Sequence, residues 1–458
     1  MFFTDREFFI FLPVVLCLYW LVPHRAQNLL LLVASYFFYA YAVPWTGWLM
    51  AAVTLINYTA AILIERYQTR RVALAVLCIA LSLTFLLWFK YALFILRGLS
   101  DIFPALPVPL EIFLPAGISF FTFQALAYTG DVYTGRLKAE RNPVDFFLFV
   151  SFFPQLVAGP IERAENLLRQ VTEQRRWQLD RFMRGLDILC LGYVKKIVIA
   201  DNVAIYVNMI FDLKNPSALM ILAGAIGFGI QILADFSSYT DIARGCGRFM
   251  GFELMENFNH PYLARSPGEF WRRWHISLSN LIKEYLYVPL GGSRVNPGRW
   301  VFNIVLVWFI CGLWHGAGWN FIIWGLYWGM LLIAYRYITL FPEKPWADIP
   351  KIVIFFTWTT LGWLLFRVRD LSLLSEYFSP NAFARIQQQL PVTAAVLFIF
   401  LLYAAPLVLT LCLEKRAARA MTTWHGQMAV RMAGYTCAAL LLVLFAAEQG
   451  SDFYYFQF

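Results

Sequence analysis

The chain has 458 residues, of which 60% are hydrophobic, 18% aromatic and only 14% charged. Together with a mean hydropathy of +0.61, that balance excludes a water-soluble globular domain and fits many segments able to cross about 30 Å of hydrocarbon. The formal net charge of +9 does not point to nucleic acid, because the basic residues gather in short loops, as they do at the cytoplasmic ends of membrane spans.

Phe8–Val22, Asn28–Val43, Trp45–Ile64 and Val72–Leu96 read as membrane helices, separated by Pro23-His24-Arg25, Pro44 and the charged run Glu65–Arg71. Asp5, Arg6 and Glu7 precede the first of them, so it reads as a retained span and not a cleaved signal. The basic loops assign the N-terminus to the outer side, and residues 97–111, with Pro104, Pro107 and Pro109, form an external loop. Leu114–Gly135 is apolar but carries Ser119, Thr122, Gln124, Thr129 and Asp131, so it faces protein or a wet cavity. In Asp145–Arg163, which includes Gln155, the breakers Pro154, Gly159 and Pro160 predict a re-entrant segment or half helix.

Residues 162–187 mix Arg163, Arg169, Arg175, Arg176, Arg181 and Arg184 with Leu167, Trp177, Leu179 and Phe182, which predicts an amphipathic helix on the cytoplasmic interface. Leu186–Phe211 spans but contains Lys195, Lys196 and Asp201, so either the lysines snorkel or the interior is wet. Leu219–Phe249 carries Asp235 and Asp241, whose spacing does not put them on one helix face; each needs a partner or water at depth. Ile352–Phe366, Val392–Leu413 and Arg431–Ala447 are further spans, with Glu414–Arg419 marking the cytoplasm. That leaves both termini outside, and a total of about eleven crossing helices. The seven scattered cysteines, with no C-x-x-C, read as small buried hydrophobes. The expected organisation is one integral membrane domain over 1–458: N-terminal helices to 111, a core over 112–340, then C-terminal helices and an external tail.

The chemistry-bearing stretch is Glu269–Gly329. From Trp300 a helix reaches His315, a rise of roughly 24 Å, before Gly316-Ala317-Gly318 turns the chain back through Asn320–Tyr335. A histidine that deep needs a reason, and its near-neutral pKa suits it to take a proton from a hydroxyl; a hydrogen bond between helices is the structural alternative. Gly312, Gly316, Gly325 and Gly329 have the G-x-x-x-G spacing of close helix packing, and Trp314, Trp319, Trp324 and Trp328 suggest an aromatic-walled passage. His275 lies in Glu269–Leu290, where Glu269, Arg272, Arg273, Lys283 and Glu284 alongside Phe270, Trp271, Trp274, Ile276, Leu278, Leu281, Ile282, Tyr285 and Leu286 predict an interfacial or re-entrant amphipathic helix ended by Pro289 and Gly291-Gly292. Arginines there are ordinarily lipid-phosphate contacts or topology markers. No serine-hydrolase elbow, Walker A, zinc-protease or EF-hand motif occurs, which removes those classes but leaves enzyme and transporter both open.

FWRRWHISLS (Phe270–Ser279) and LWHG (Leu313–Gly316) resemble the two histidine motifs of the membrane-bound O-acyltransferase family. Leu114–Tyr128, Phe152–Arg163, Ala234–Ala243, Met255–Tyr262, Tyr285–Arg294 and the closing Tyr455–Phe458 are similar to the bacterial branch that acetylates exopolysaccharides such as alginate and cellulose. Ser238 departs from the glycine of that branch. The resemblance covers about residues 1–370 plus the tail. It implies an all-α polytopic fold with re-entrant and interfacial helices around a central channel, in the bacterial inner membrane. It implies acetyl-CoA as the cytoplasmic donor, no bound cofactor and no metal, His315 as general base, and His275 as a second site histidine. Trp271, Arg272, Arg273, Trp274, Ser279, Asn280, Tyr285, Trp314, Trp319, Asp235, Asp241 and Gln155 become the expected substrate or channel residues. The implied partners are membrane lipids and a periplasmic SGNH-type acetyltransferase or polysaccharide synthase complex. The rival readings are D-alanyl transfer toward teichoic acid from a carrier protein, and a non-catalytic acetyl transporter or scaffold.

Overall fold

The computed structural model describes residues 1–104, 107–109, 111–338, 342, 344–420, 424–446 and 453, and only the backbone of 345, 408–420 and 424–427. The closing Tyr455–Phe458 motif therefore lies outside the described residues. Among those described the chain is helical; its β-type pairing is an isolated bridge between Phe258 and Trp274. Among the described residues seven helices are long and apolar enough to cross a membrane: Trp45–Arg66, Gln68–Ser100, Ala218–Phe249, Pro297–His315, Asp348–Arg367, Ile386–Leu407 and Met428–Phe445. This is a multi-pass membrane protein. The expected count of about eleven is not reached by that measure: Phe8–Leu21 has 14 residues, His24–Ala40 has 17 and Ile118–Tyr133 has 16, fewer than the roughly 20 a perpendicular span needs, and the 19-residue Trp319–Tyr337 is not among the seven.

The chain folds as two compact units. The first comprises Met1–Leu186, Ile242–Asn257 and His275–Gly292. In it Trp45–Arg66 packs on both Gln68–Ser100 and Ile118–Tyr133. Buried Asn57 ties the three together. Its amide donates to Ser82 Oγ at 3.0 Å, and its carbonyl oxygen accepts from Thr129 Oγ1 at 2.8 Å. Polar groups without water at hand are thereby satisfied between helices. In Asp145–Arg163 the chain forms the short helix Pro143–Ser151, and Phe152–Gly159 follows it as a buried run of turns. Its close approach explains Gly117, at φ 73°: a Cβ there would stand 2.9 Å from the Leu156 carbonyl oxygen.

The amphipathic helix expected over 162–187 is a correction. The chain forms only Ala164–Leu168 and Arg169–Thr172, runs irregularly, and resumes as Leu179–Tyr193. Arg175 is not an interfacial charge but is buried. It donates to Tyr19 Oη at 2.7 Å, to the Val171 carbonyl at 2.9 Å and to Asn28. A guanidinium with that many acceptors is satisfied inside the protein.

The second unit comprises Asp187–Asp241, Phe258–Trp274 and Ser293–Phe458. Here the lysines expected to snorkel or meet water are paired with aspartates. Lys196 lies 2.9 Å from both Asp201 and Asp235, and Lys195 lies 2.6 Å from Asp241. The backbone over Val194–Ala200 is a π-turn, which re-aims successive side chains. Adjacent lysines thus reach two aspartates on different faces of Ala218–Phe249. Pro297–His315 and Trp319–Tyr337 form the unit's tightest hairpin.

The single amphipathic helix expected over Glu269–Leu290 is also corrected. Pro267–Trp271 and Ile276–Ile282 are separate helices, broken where His275 adopts φ 44°, ψ 54°. That left-handed conformation costs about 1 kcal/mol or more in a non-glycine residue.

Candidate functional site

His315 is the last helical residue before Gly316, at φ −173°, carries the chain into the extended turn that starts Trp319–Tyr337. The hairpin is narrow because Gly312 and Gly325 face each other: a Cβ on Gly325 would stand 3.0 Å from Gly312 Cα and overlap the Trp308 carbonyl. Gly316 and Gly329 pack on the Phe321 and Trp308 side chains. All four glycines of the two G-x-x-x-G pairs are therefore used within one antiparallel hairpin.

This closeness fixes what surrounds the imidazole, which is only 3% exposed. Trp314 and Trp324 meet it edge-on, each at 4.7 Å between ring centres, and Phe366 does so at 5.4 Å. Asn320 donates to the Phe366 carbonyl at 3.3 Å, which ties that aromatic's helix to the hairpin turn. Behind Trp324 lies a layer of rings: Trp271 is 4.6 Å from Trp308 and 5.2 Å from Trp328, and Trp274 is 4.8 Å from Trp363. The indole N–H groups of Trp271, Trp324 and Trp328 are buried with no hydrogen-bond acceptor among the described residues. Buried polar atoms left so are uncommon and ask for a role. Trp319, expected in the aromatic wall, is instead 65% exposed.

His275 belongs to the first unit and is fully buried. Its Nδ1 is 3.2 Å from Asn257 Oδ1, and Phe120 lies near-parallel to it with ring centres 6.1 Å apart. Burial pushes the imidazole down to about 3, so it is neutral at any physiological pH. Tyr285 is half-buried in a charged cluster of the same unit. Its hydroxyl donates to Asp131 Oδ1 at 2.6 Å and accepts from Arg163, which also pairs with Glu284. Arg136 joins through Asp131 at 3.2 Å. Burial raises the Tyr285 hydroxyl's pKa, so it stays a donor.

The remaining expected residues are placed as follows. Gln155 is buried and donates to Gln124 Oε1 at 3.1 Å. Asp235 and Asp241 carry the lysine pairs described above. Arg272 and Asn280 are exposed, Ser279 is partly buried, and Arg273 pairs with Glu269 at 2.8 Å. The sequence reading missed Asn257, Arg163, Glu284, Trp308, Trp363 and Phe366. Arg163 and Asn257 lie within the quoted Phe152–Arg163 and Met255–Tyr262 motifs, and the tryptophans belonged to the aromatic excess, but none was singled out for the site. Among the described residues no group of three or more His, Cys, Asp or Glu side chains is placed to hold a metal.

The model of the membrane-bound O-acyltransferase family matches residues 136–368. Over 379 residues the chain is 41% identical to a probable alginate O-acetylase of Pseudomonas aeruginosa, covering 81% of this chain and 73% of that one. It is 38% identical over 408 residues to a peptidoglycan O-acetyltransferase of Helicobacter pylori, covering 80% and 77%. To a teichoic acid D-alanyltransferase of Bacillus subtilis it is 28% identical over 272 residues, covering 55% and 68%.

Proposed function

Because this chain belongs to the membrane-bound O-acyltransferase family and is an O-acyltransferase, we propose that it moves acetyl groups from cytoplasmic acetyl-CoA toward hydroxyls of an extracytoplasmic polysaccharide, with His315 as general base. The observation that carries the assignment is the histidine's position: the closed tip of a glycine-packed hairpin, walled by Trp314, Trp324 and Phe366. A neutral imidazole there takes the proton of the attacking hydroxyl as its oxygen adds to the thioester carbonyl. Collapse of the tetrahedral adduct breaks the C–S bond, and the departing thiolate receives the proton. Apolar walls exclude the water that would otherwise hydrolyse the thioester. Buried indole N–H groups behind the histidine, without an acceptor among the described residues, supply donors for a substrate.

The acceptor class follows from relatives whose names specify alginate and peptidoglycan acetylation. The D-alanyl branch is favoured less, since the likeness to it is weaker and shorter. The immediate acceptor is a serine of a periplasmic SGNH-type acetyltransferase acting with the polymer machinery. The protein resides in the inner membrane with both termini outside.

The test uses purified full-length protein in detergent with acetyl-CoA and a hydroxyl acceptor. His315→Gln is expected to lower turnover by about 10²–10⁴-fold, the usual worth of a general base, with unchanged thermal stability. Undiminished acetyl transfer by that variant sinks the base assignment. Transfer of D-alanine from a carrier thioester, with acetyl-CoA inert, redirects the donor. No acyl transfer at all from a folded wild type returns the transporter reading.

A further inference from the structure

We infer that Asn257 is a positioning residue that holds His275 as its Nδ1–H tautomer, so that Nε2 is the ring's hydrogen-bond-accepting nitrogen. The inference deepens the proposed function, resting on it for the view that His275 serves acyl transfer.

The tautomer follows from a chain of donors. Asn257 Oδ1 has three neighbours in hydrogen-bond range: Ser277 N at 3.0 Å, Ser277 Oγ at 2.9 Å and His275 Nδ1 at 3.2 Å. Oxygen and nitrogen of an amide side chain are ordinarily assigned by their partners. Here the backbone N–H of Ser277 makes that assignment, because it only donates. The atom facing it is the oxygen; turning the amide over would set an NH₂ against an N–H. With the oxygen fixed, Nδ1 must be the donor. In the other tautomer two lone pairs would face each other at 3.2 Å inside a buried site, where such a mismatch is most costly. Ser277 Oγ, 3.5 Å from Nδ1, also offers an acceptor to the same proton.

The fold enforces this arrangement. Asn257 is 1% exposed, and its backbone carbonyl accepts from Ile276 N at 3.0 Å. One residue therefore receives the first two amides of Ile276–Ile282 as well as the imidazole. The left-handed turn at His275 swings the ring back toward Asn257. A helix staple alone would need only the two backbone amides. The same orientation adds the bond to the ring and leaves the amide's Nδ2 buried without an acceptor among the described residues. The orientation itself is set by Ser277 N, and the ring takes up the oxygen's remaining capacity. Nε2 is then the nitrogen that takes a hydrogen bond from a substrate S–H, O–H or amide N–H. The logic is that by which a buried partner orients a catalytic imidazole in hydrolases.

The experiment is nitrogen-15 NMR on full-length protein labelled at histidine, in detergent near neutral pH, with the His275 signals identified by their loss in His275→Asn. The expected spectrum has a protonated-type Nδ1 and an imine-type Nε2. Asn257→Asp, whose carboxylate accepts the same proton, should keep that pattern and turnover within a few-fold. Asn257→Leu should give a mixed or inverted tautomer and lower kcat by about tenfold or more, with little change in KM. An imine-type Nδ1 in the wild type overturns the inference, as does an unchanged His275 pattern in Asn257→Leu. If the leucine variant does not fold, the wild-type and Asn257→Asp spectra decide. Full activity in His315→Gln would instead remove the base assignment and leave the tautomer standing.

Discussion

Adding one methyl group at Gly325 tests whether the hairpin holds His315 in place. In Gly325→Ala the new Cβ meets backbone on the opposite helix: the Trp308 carbonyl, and Gly312 Cα and N at 3.0 Å each. Backbone cannot rotate away as a side chain can, so the helices must separate. Overpacking of that kind costs about 1–3 kcal/mol, and the absence of any flexible neighbour puts it near about 3. Alanine's better helix propensity returns about 1 kcal/mol, leaving a net loss of about 2. The same change at Gly434, where nothing lies within 4 Å, has only the propensity gain and should be neutral or slightly stabilising. At Gly329 the nearest atom is Trp308 Cβ at 3.2 Å, and a small shift of that side chain makes the cost intermediate. Thermal unfolding in one detergent should therefore order the variants Gly325, Gly329, Gly434 from least to most stable, spread over several degrees. Acetyl transfer should fall furthest at Gly325, because the aromatic walls of His315 come from both helices. Gly325→Ala melting together with Gly434→Ala, at wild-type activity, would refute the close-packed hairpin as the support of the site.

Three other outcomes follow. His275 has a folded pKa of about 3 against 6.5 unfolded, so its contribution to stability is fully present above pH 6.5 and drains as pH falls below it. Between pH 6.5 and 5 the wild type should lose about 2 kcal/mol more than His275→Asn, read as the difference between their melting-temperature profiles; parallel profiles contradict it. Lys196→Met strands Asp201 and Asp235 in a buried site and should cost about 3–5 kcal/mol, partly recovered in Lys196→Met with Asp235→Asn; an additive double variant argues against direct pairing. A reporter fused within Glu414–Arg419 should read as cytoplasmic and one after Phe458 as external, and the opposite pair of readings inverts the topology.

What was legible in the sequence has a common physical character. The Pro297–His315 helix, its turn and its return are encoded by apolar length, flanking charge and glycine spacing, all local in the chain. The need of Asp235 and Asp241 for partners was legible too, since a carboxylate at membrane depth cannot be left alone. Their partners were not: Lys195 and Lys196 are adjacent, and only the π-turn over Val194–Ala200 aims them at different aspartates. Arg175 was misread for a related reason. A run of arginines looks interfacial until the acceptors Tyr19, Asn28 and Val171 converge on one of them, and that convergence is tertiary. Asn257 lies within the Met255–Tyr262 motif, but its role was not legible there, because it depends on a left-handed turn at His275 that no histidine propensity foretells.

The two motif histidines look alike in sequence but are supported by different physics. His315 is held by steric closeness: glycine backbones in contact and aromatic edges around the ring. That support does not tolerate added volume. His275 is held by directed bonds from one amide, with its tautomer set by donor and acceptor matching. That support tolerates small changes in volume but not loss of an acceptor. Added methyl groups in the hairpin should therefore impair whatever His315 does while leaving the His275 tautomer untouched, and Asn257→Leu should do the reverse. A variant set crossing Gly325→Ala with Asn257→Leu separates the two supports, since effects without a shared partner add in free energy to within about 0.5 kcal/mol. A larger coupling would mean that the two histidines act as one catalytic device.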